Sequence, residues 1–286
     1  KKKFANMLTR TWEADNVNYM TSGSIDRAIS ELDKTQDDYY VRMQKVIEDH
    51  AIEASICKVI GSEALAYVVD EGVQILGGAG FIEEYGMATI YRDERINRIF
   101  EGTNEINRLL ISGMTLKKSI LEELPIRDAI SFRMNDWLSQ VSNSDDKLEL
   151  VVEYFTSACL YTLNELILKY GQDMKNNQWV IEPFSNMLCA LAIVDTGLKR
   201  LEKINDEVKK QKNEEVLNLS LCQQYSVLNN EMDKVLSYIS KDKEDYKNRK
   251  KMIDSYRDRL DYFPNEISLM SKVANTFYEN KKYYLD

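Results

Sequence analysis

The chain has 286 residues, enough for one large or two ordinary domains with a true hydrophobic core. It carries 44% apolar and 30% charged residues, which excludes wholesale disorder, and its net charge of -9 argues against a nucleic-acid backbone as main partner. It has 3 Pro and 11 Gly where average usage gives about 14 and about 20, so long helices are expected.

In chain order, the spacing predicts a first helix over residues 4 to about 30, with Phe4, Met7, Leu8, Thr11 and Trp12 on one face. A second run covers roughly 40 to 76, with Ile52, Ile56, Val59, Ile60 and Tyr67 at helical spacing. It stops at Gly77-Gly78-Ala79-Gly80, where left-handed backbone is easy. A connection over 81–102 leads to a third helix from about 103 to 123, capped by Thr103 or Asn104 and closed before Pro125. The polar stretch 141–146 is the clearest loop. Further helices are expected near 147–171, 182–211, 213–240, 243–262 and 265–283. In the first of these, Leu148, Val151, Val152, Phe155, Cys159, Leu163, Leu166, Ile167 and Tyr170 form one apolar stripe. No alternating strand of useful length is present, so the predicted fold class is all-α, with bundle-like helices over 1–115 and a second helical domain over 126–286. No stretch approaches the roughly 18 apolar residues of a membrane span, and the opening lysines do not lead into a signal sequence.

The chemistry-bearing side chains are few. Cys57, Cys159, Cys189 and Cys222 are scattered and His50 is the sole histidine, so neither a zinc site nor a histidine-based triad is indicated. Scattered thiols suit a reducing compartment. Three glycines within 77–80 let backbone approach another group closely, as phosphate cradles require, although on spacing alone a packed helix stop is favoured. Glu101 stands beside Gly102 just before a helix. It is either a general base on a short connection or an acid complementing the helix N-terminus. Arg92, Asp93, Glu94, Arg95 and Arg98 read first as a bracing ion-pair cluster, and the Lys-rich runs near 199–212 and 241–251 as solvated helix faces.

Three strings occur in one order: Gln74-Ile75-Leu76-Gly77-Gly78-Ala79-Gly80-Phe81, then Tyr91-Arg92-Asp93, then Phe100-Glu101-Gly102-Thr103-Asn104-Glu105-Ile106. Together they resemble the C-terminal helical domain of acyl-CoA dehydrogenases. The similarity runs from about residue 4 to about 115, and Glu53-Ala54-Ser55-Ile56-Cys57-Lys58-Val59 is similar to the helix before the glycine turn. The Glu101 string looks most like the very-long-chain branch, which carries an extra helical domain where residues 126–286 stand.

The resemblance implies the cofactor FAD and the α,β-dehydrogenation of a fatty acyl-CoA to a trans-2-enoyl-CoA, with electrons passing to an electron-transfer flavoprotein. It implies Glu101 as the α-proton-abstracting base, with its amide in an oxyanion-hole role, and Gly102 at the thioester end of the substrate pocket. It further implies Gln74, Gly77 and Gly78 on the FAD of a neighbouring subunit and Thr103 on the subunit's own FAD, hence a homodimer or tetramer. Glu105 stands where many members have Gln and is left out of the site, and Arg92 and Asp93 are structural. No metal is implied. The family's preceding helical and β-domains have no counterpart in the chain, and residues 31–49 look like a polar insertion. The chain is therefore expected to be a C-terminal part that is inactive by itself. Its expected location is the bacterial cytoplasm or the mitochondrial matrix. Two alternatives accompany this reading: a non-catalytic helical module that docks a partner or, through residues 126–286, a membrane surface, and an acyl-CoA oxidase.

Overall fold

The structure, a computed structural model, describes residues 1–135, 147–260 and 262–285. Among them there are helices and connections and no strand. The helices are α1 (Lys2–Ser30), α2 (Tyr39–Asp49), α3 (Ala51–Leu76), α4 (Gly78–Phe81), α5 (Met87–Glu94), α6 (Asn104–Ile120) and α7 (Ile126–Asn135). They continue as α8 (Lys147–Tyr170), α9 (Gln178–Lys203), α10 (Glu207–Ile239), α11 (Lys243–Leu260) and α12 (Glu266–Asn280). The all-α expectation holds, and the stripe predicted on α8 is buried or packed against the core. The loop expected at 141–146 lies outside the described residues.

Several boundaries differ from the periodicity. The run expected from 40 to 76 breaks at His50, whose backbone leaves the helical well (φ -93°, ψ 16°). Its ring is held at the break by Val46 O at 2.8 Å and Ser24 Oγ at 3.0 Å, so His50 joins two helices rather than decorating one. The connection 81–102 is itself mostly helical, with α5 and flanking 3-10 turns. A helix directly after Pro125, α7, was not anticipated. Pro183 lies inside α9, which begins at Gln178 rather than at 182. The next helix starts at Glu207, not 213, because Asp206 Oδ1 accepts the Lys209 N–H at 2.9 Å as an N-cap.

The core is continuous through both expected segments, taking in Trp12, Ile56 and Ile111 as well as Phe155, Phe184, Leu217 and Val273. α9 is its centre, packed by α10, α6, α8 and α1. By length and composition α9 could cross a membrane, which departs from the expectation of no such stretch, but 61% of its most apolar window is buried in this core. Burial in this core accounts for its apolarity.

α1 is fastened to this centre by polar as well as apolar contacts. Trp12 is fully buried, and its Nε1 donates to Asn213 Oδ1 at 2.8 Å. The ring lies against Gly197, where an added Cβ would meet Trp12 Cη2 at 2.8 Å, so only glycine admits the indole there. Glu13, also buried, accepts from Ser220 Oγ at 2.6 Å and Gln224 Nε2 at 3.1 Å. Burial raises its pKa, and those hydrogen bonds offset part of the rise. Phe4 stacks on Phe277 of α12, with ring centroids 5.1 Å apart.

Candidate active site

The glycine turn ends α3. Gly77 takes φ 61°, ψ -139°, a conformation L side chains rarely adopt, and Gly78 opens α4. The three glycines divide by function. A Cβ at Gly80 would lie 2.7 Å from Val73 O, so Gly80 is a packing glycine. A Cβ at Gly77 or Gly78 would meet nothing within 4 Å. That backbone lies open, beside exposed Gln74, Ile75, Leu76 and Phe81. Gly77 is therefore the helix stop and Gly80 the packing glycine, while the backbone of Gly77 and Gly78 remains accessible to another molecule.

Glu101 is exposed and left-handed (φ 55°), followed by Gly102 at φ 79°. For a residue with a Cβ this costs about 1–2 kcal/mol, so surrounding contacts must impose it. They do. Asn107 Nδ2 lies 2.9 Å from Gly102 O, 3.1 Å from Thr103 O and 3.5 Å from Glu101 O. Lys58 Nζ donates to Gly102 O at 2.8 Å and to Asn104 Oδ1 at 2.7 Å. Asn104, buried, donates to Ser62 Oγ at 3.0 Å and Glu63 Oε1 at 3.2 Å. Glu63 also receives Arg108 Nη2 at 2.7 Å, and Arg108 Nε reaches Asn186 Oδ1 of α9 at 2.7 Å. The turn is thus tied through α3 and α6 to the central helix. Partial burial lowers the Lys58 pKa, while Glu105 and Glu63 act against that fall.

Thr103 is the N-cap of α6, its hydroxyl accepting the Ile106 N–H at 3.3 Å. The adjacent Thr103 hydroxyl, with backbone help, holds the Glu105 carboxyl below its usual range. Arg92 pairs with Glu83 at 2.6 Å, consistent with a bracing role. Thr103 also borders a cleft of about 700 Å³ lined by Arg10, Tyr67, Glu94 and Arg98. Glu94 is buried there and accepts from Arg98 Nη2 at 3.1 Å, while Glu94 Oε2 and Arg98 Nε make no hydrogen bond.

The predicted site residues form two sets. Glu101, Gly102 and Thr103 are contiguous and anchored near Lys58. Gln74 lies 16 residues further along α3 than Lys58, about 24 Å at the helical rise, with Gly77 and Gly78 beyond it. Among the described residues no hydrogen bond joins the two sets, and the cleft that Thr103 borders reaches along α3 as far as Asp70, one turn short of Gln74.

Residues 2–115 match the sequence model of the family described as "Acyl-CoA dehydrogenase, C-terminal domain". Residues 2–115 carry the C-terminal domain of the acyl-CoA dehydrogenase family. A probable acyl-CoA dehydrogenase of Bacillus subtilis is 32% identical over 208 residues, covering 71% of this chain and 35% of that protein. That match extends past the residues of the family model. The mitochondrial very long-chain specific acyl-CoA dehydrogenase of Homo sapiens is 38% identical over 112 residues, 39% of this chain and 14% of that one. Subunit CarC of the caffeyl-CoA reductase-Etf complex of Acetobacterium woodii is 46% identical over 66 residues, 23% of this chain and 17% of that one. The crystal structure of an acyl-CoA dehydrogenase of Bacillus anthracis complexed with FAD superposes with a TM-score of 0.89 at 28% identity, over 99% of this chain and 49% of that chain. The chain thus spans about a third of the Bacillus subtilis relative's length and about half of the Bacillus anthracis chain's.

Sequence reasoning missed Lys58, Asn104 and Asn107 as parts of this acyl-CoA dehydrogenase domain's turn. Asn107 had a local signal, an amide one helical turn after Thr103 and able to reach back to its carbonyl. Lys58 had none, since its two partners lie 44 and 46 residues away.

Proposed function

We propose that the chain is the part of a flavin-dependent acyl-CoA dehydrogenase that supplies the catalytic base, Glu101. The observation that carries this reading is an exposed glutamate held in a left-handed turn by two side chains, Lys58 and Asn107, on two helices. Chemistry that needs a carboxylate at a fixed place explains why such a conformation is imposed.

Glu101 takes the α-proton of an acyl-CoA thioester. That proton is very weakly acidic, so the charge growing on the thioester oxygen must be met as it forms, and the Glu101 amide N–H donates to it. Gly102 leaves the thioester end of the pocket without a side chain. FAD, when bound, accepts the β-hydrogen as hydride, and the product is a trans-2-enoyl-CoA. Gly77 and Gly78 fit FAD because their backbone is open to close approach, and Gln74 beside them is exposed. Thr103 fits less freely, since its hydroxyl already caps α6.

The separation of the two residue sets along α3 supports a dimer or tetramer, in which the glycine turn serves the FAD of a neighbouring subunit. Exposed Phe81, Ile90, Ile96, Phe100 and Ile106 supply an apolar surface for such contacts. An electron-transfer flavoprotein is the proposed acceptor, in line with the Etf-complex relative. The reaction belongs to the bacterial cytoplasm or the mitochondrial matrix, and peripheral membrane contact through residues 126–286 is read by liposome co-sedimentation.

The test is a visible spectrum of the full-length protein before and after anaerobic palmitoyl-CoA, beside Glu101→Gln. Bleaching that is rapid in wild type and slowed about 10²–10⁴-fold in the variant supports the base. A flavin band that bleaches equally in both removes Glu101 from the role. A colourless full-length protein leaves the domain as scaffold. Residues 1–286 alone are expected to show no acyl-CoA-dependent dye reduction with added FAD.

A further inference from the structure

We infer that Lys58 is a positioning residue for Glu101, an inference that rests on the proposed reaction. Glu101 and Gly102 are consecutive left-handed residues outside any helix, so no helical ladder holds them. What holds them converges on one atom. The Gly102 carbonyl oxygen receives both Lys58 Nζ at 2.8 Å and Asn107 Nδ2 at 2.9 Å, which occupies both of its lone pairs.

The two donors differ in kind. Asn107 belongs to α6 and moves with the helix that follows the turn. Lys58 belongs to α3, and its bond to Asn104 Oδ1 at 2.7 Å locks the first residue of α6 to the same ammonium. Asn104 then reaches Ser62 and Glu63, one helical turn further along the same face of α3. Lys58 is therefore the charged pin between the turn and α3, and a hydrogen bond from an ammonium is stronger than one from an amide. Without it the Gly102 carbonyl has only Asn107, and α3 no longer holds the turn directly but only through Asn104, bonded to Ser62 and Glu63. Glu101, exposed and strained, would then sample other conformations and meet the substrate's α-carbon in fewer of them.

The test compares wild type with Lys58→Met and Lys58→Arg, as full-length flavin-loaded protein. In Lys58→Met, amide hydrogen exchange across residues 101–104 should speed at least tenfold. Flavin content and the melting midpoint should hold, kcat should fall at least tenfold, and KM should change less than twofold. Lys58→Arg keeps two donors on a charged group and should recover at least threefold of the lost kcat. It also reports on the pin if Lys58→Met does not fold. Unchanged exchange or unchanged kcat in Lys58→Met, or an Arg variant as slow as Met, overturns the inference alone, because wild type still bleaches. A joint loss of flavin and of the melting transition overturns it too, by making Lys58 scaffold. A wild-type protein that does not bleach overturns the reaction reading and the inference with it.

Discussion

Residues 74–106 and the helices after residue 147 differ in how densely unusual local features are gathered. In the later helices the apolar stripes turn inward, so that Phe155, Leu163, Phe184 and Leu217 are fully or almost fully buried. Two of their helix starts are capped by side chains, Asp206 for α10 and Asn265 for α12. In the earlier region Phe81 is 80% exposed, Ile90, Ile96, Phe100 and Ile106 are near half exposed, two glycines face open space, and a glutamate is left-handed. Exposed apolar side chains occur in the later helices too, Leu168, Trp179 and Ile267 among them, and Lys281 is also left-handed. What distinguishes residues 74–106 is that open glycines, exposed apolar side chains and a left-handed glutamate fall together in one short stretch.

The comparison breaks most readily at α1, which joins the two regions. Trp12→Ala empties a fully buried site and orphans Asn213, and should cost about 3–5 kcal/mol in urea unfolding. Because one core spans both regions, a single transition is expected by every probe. Two separate transitions would make the regions independent units. Gly197→Ala presses a Cβ against the same indole and should cost about 1–3 kcal/mol, read by the same melts. A neutral result there would mean that α9 and α1 are free to move apart.

Glu13 sharpens the contrast, being a buried acid inside the core. Its folded pKa is raised by burial, so the unfolded chain loses the proton first as pH rises from the ordinary value of 4.5. The folded state binds more protons in that window, and stability falls with pH by at most about 1.4 kcal/mol per unit until the folded pKa is passed. Glu13→Gln keeps an acceptor for Ser220 and Gln224 and removes this slope. Its stability relative to wild type should rise through the window and level off above it. A pH-independent difference between the two proteins would count against the raised pKa.

Legibility in the sequence followed the range of the interactions. The Thr103 cap and the α8 stripe are set by neighbours within a turn or two, and both could be read directly. The helix expected from 213 begins six residues earlier, so Asn213 is not at its start. It lies well inside α10, where its amide donates to Lys209 O and its oxygen accepts from Trp12, 201 residues away. The helix expected from 182 likewise begins earlier, at Gln178, with Pro183 inside it. At the site, the motif pointed to Glu101 and the glycines. The clamp that gives Glu101 its conformation depends on Lys58, which no local pattern joins to it.

The smallest expected effect has the opposite sign from the core substitutions. Glu101→Gly removes the Cβ that the left-handed backbone disfavours, at the cost of a more flexible unfolded chain. The relief of about 1–2 kcal/mol exceeds the entropy cost of about 0.4–1 kcal/mol, so a net stabilisation on the order of 0.5 kcal/mol is expected. The same variant lacks the carboxylate, so flavin bleaching by acyl-CoA in the full-length protein should be lost. Urea midpoints of wild type and variant, measured together, decide the point. A gain in stability with a loss of bleaching shows strain maintained for function. A loss in stability would mean that the Glu101 side chain makes its own contribution to the fold, and the two regions would then differ less than their backbones suggest.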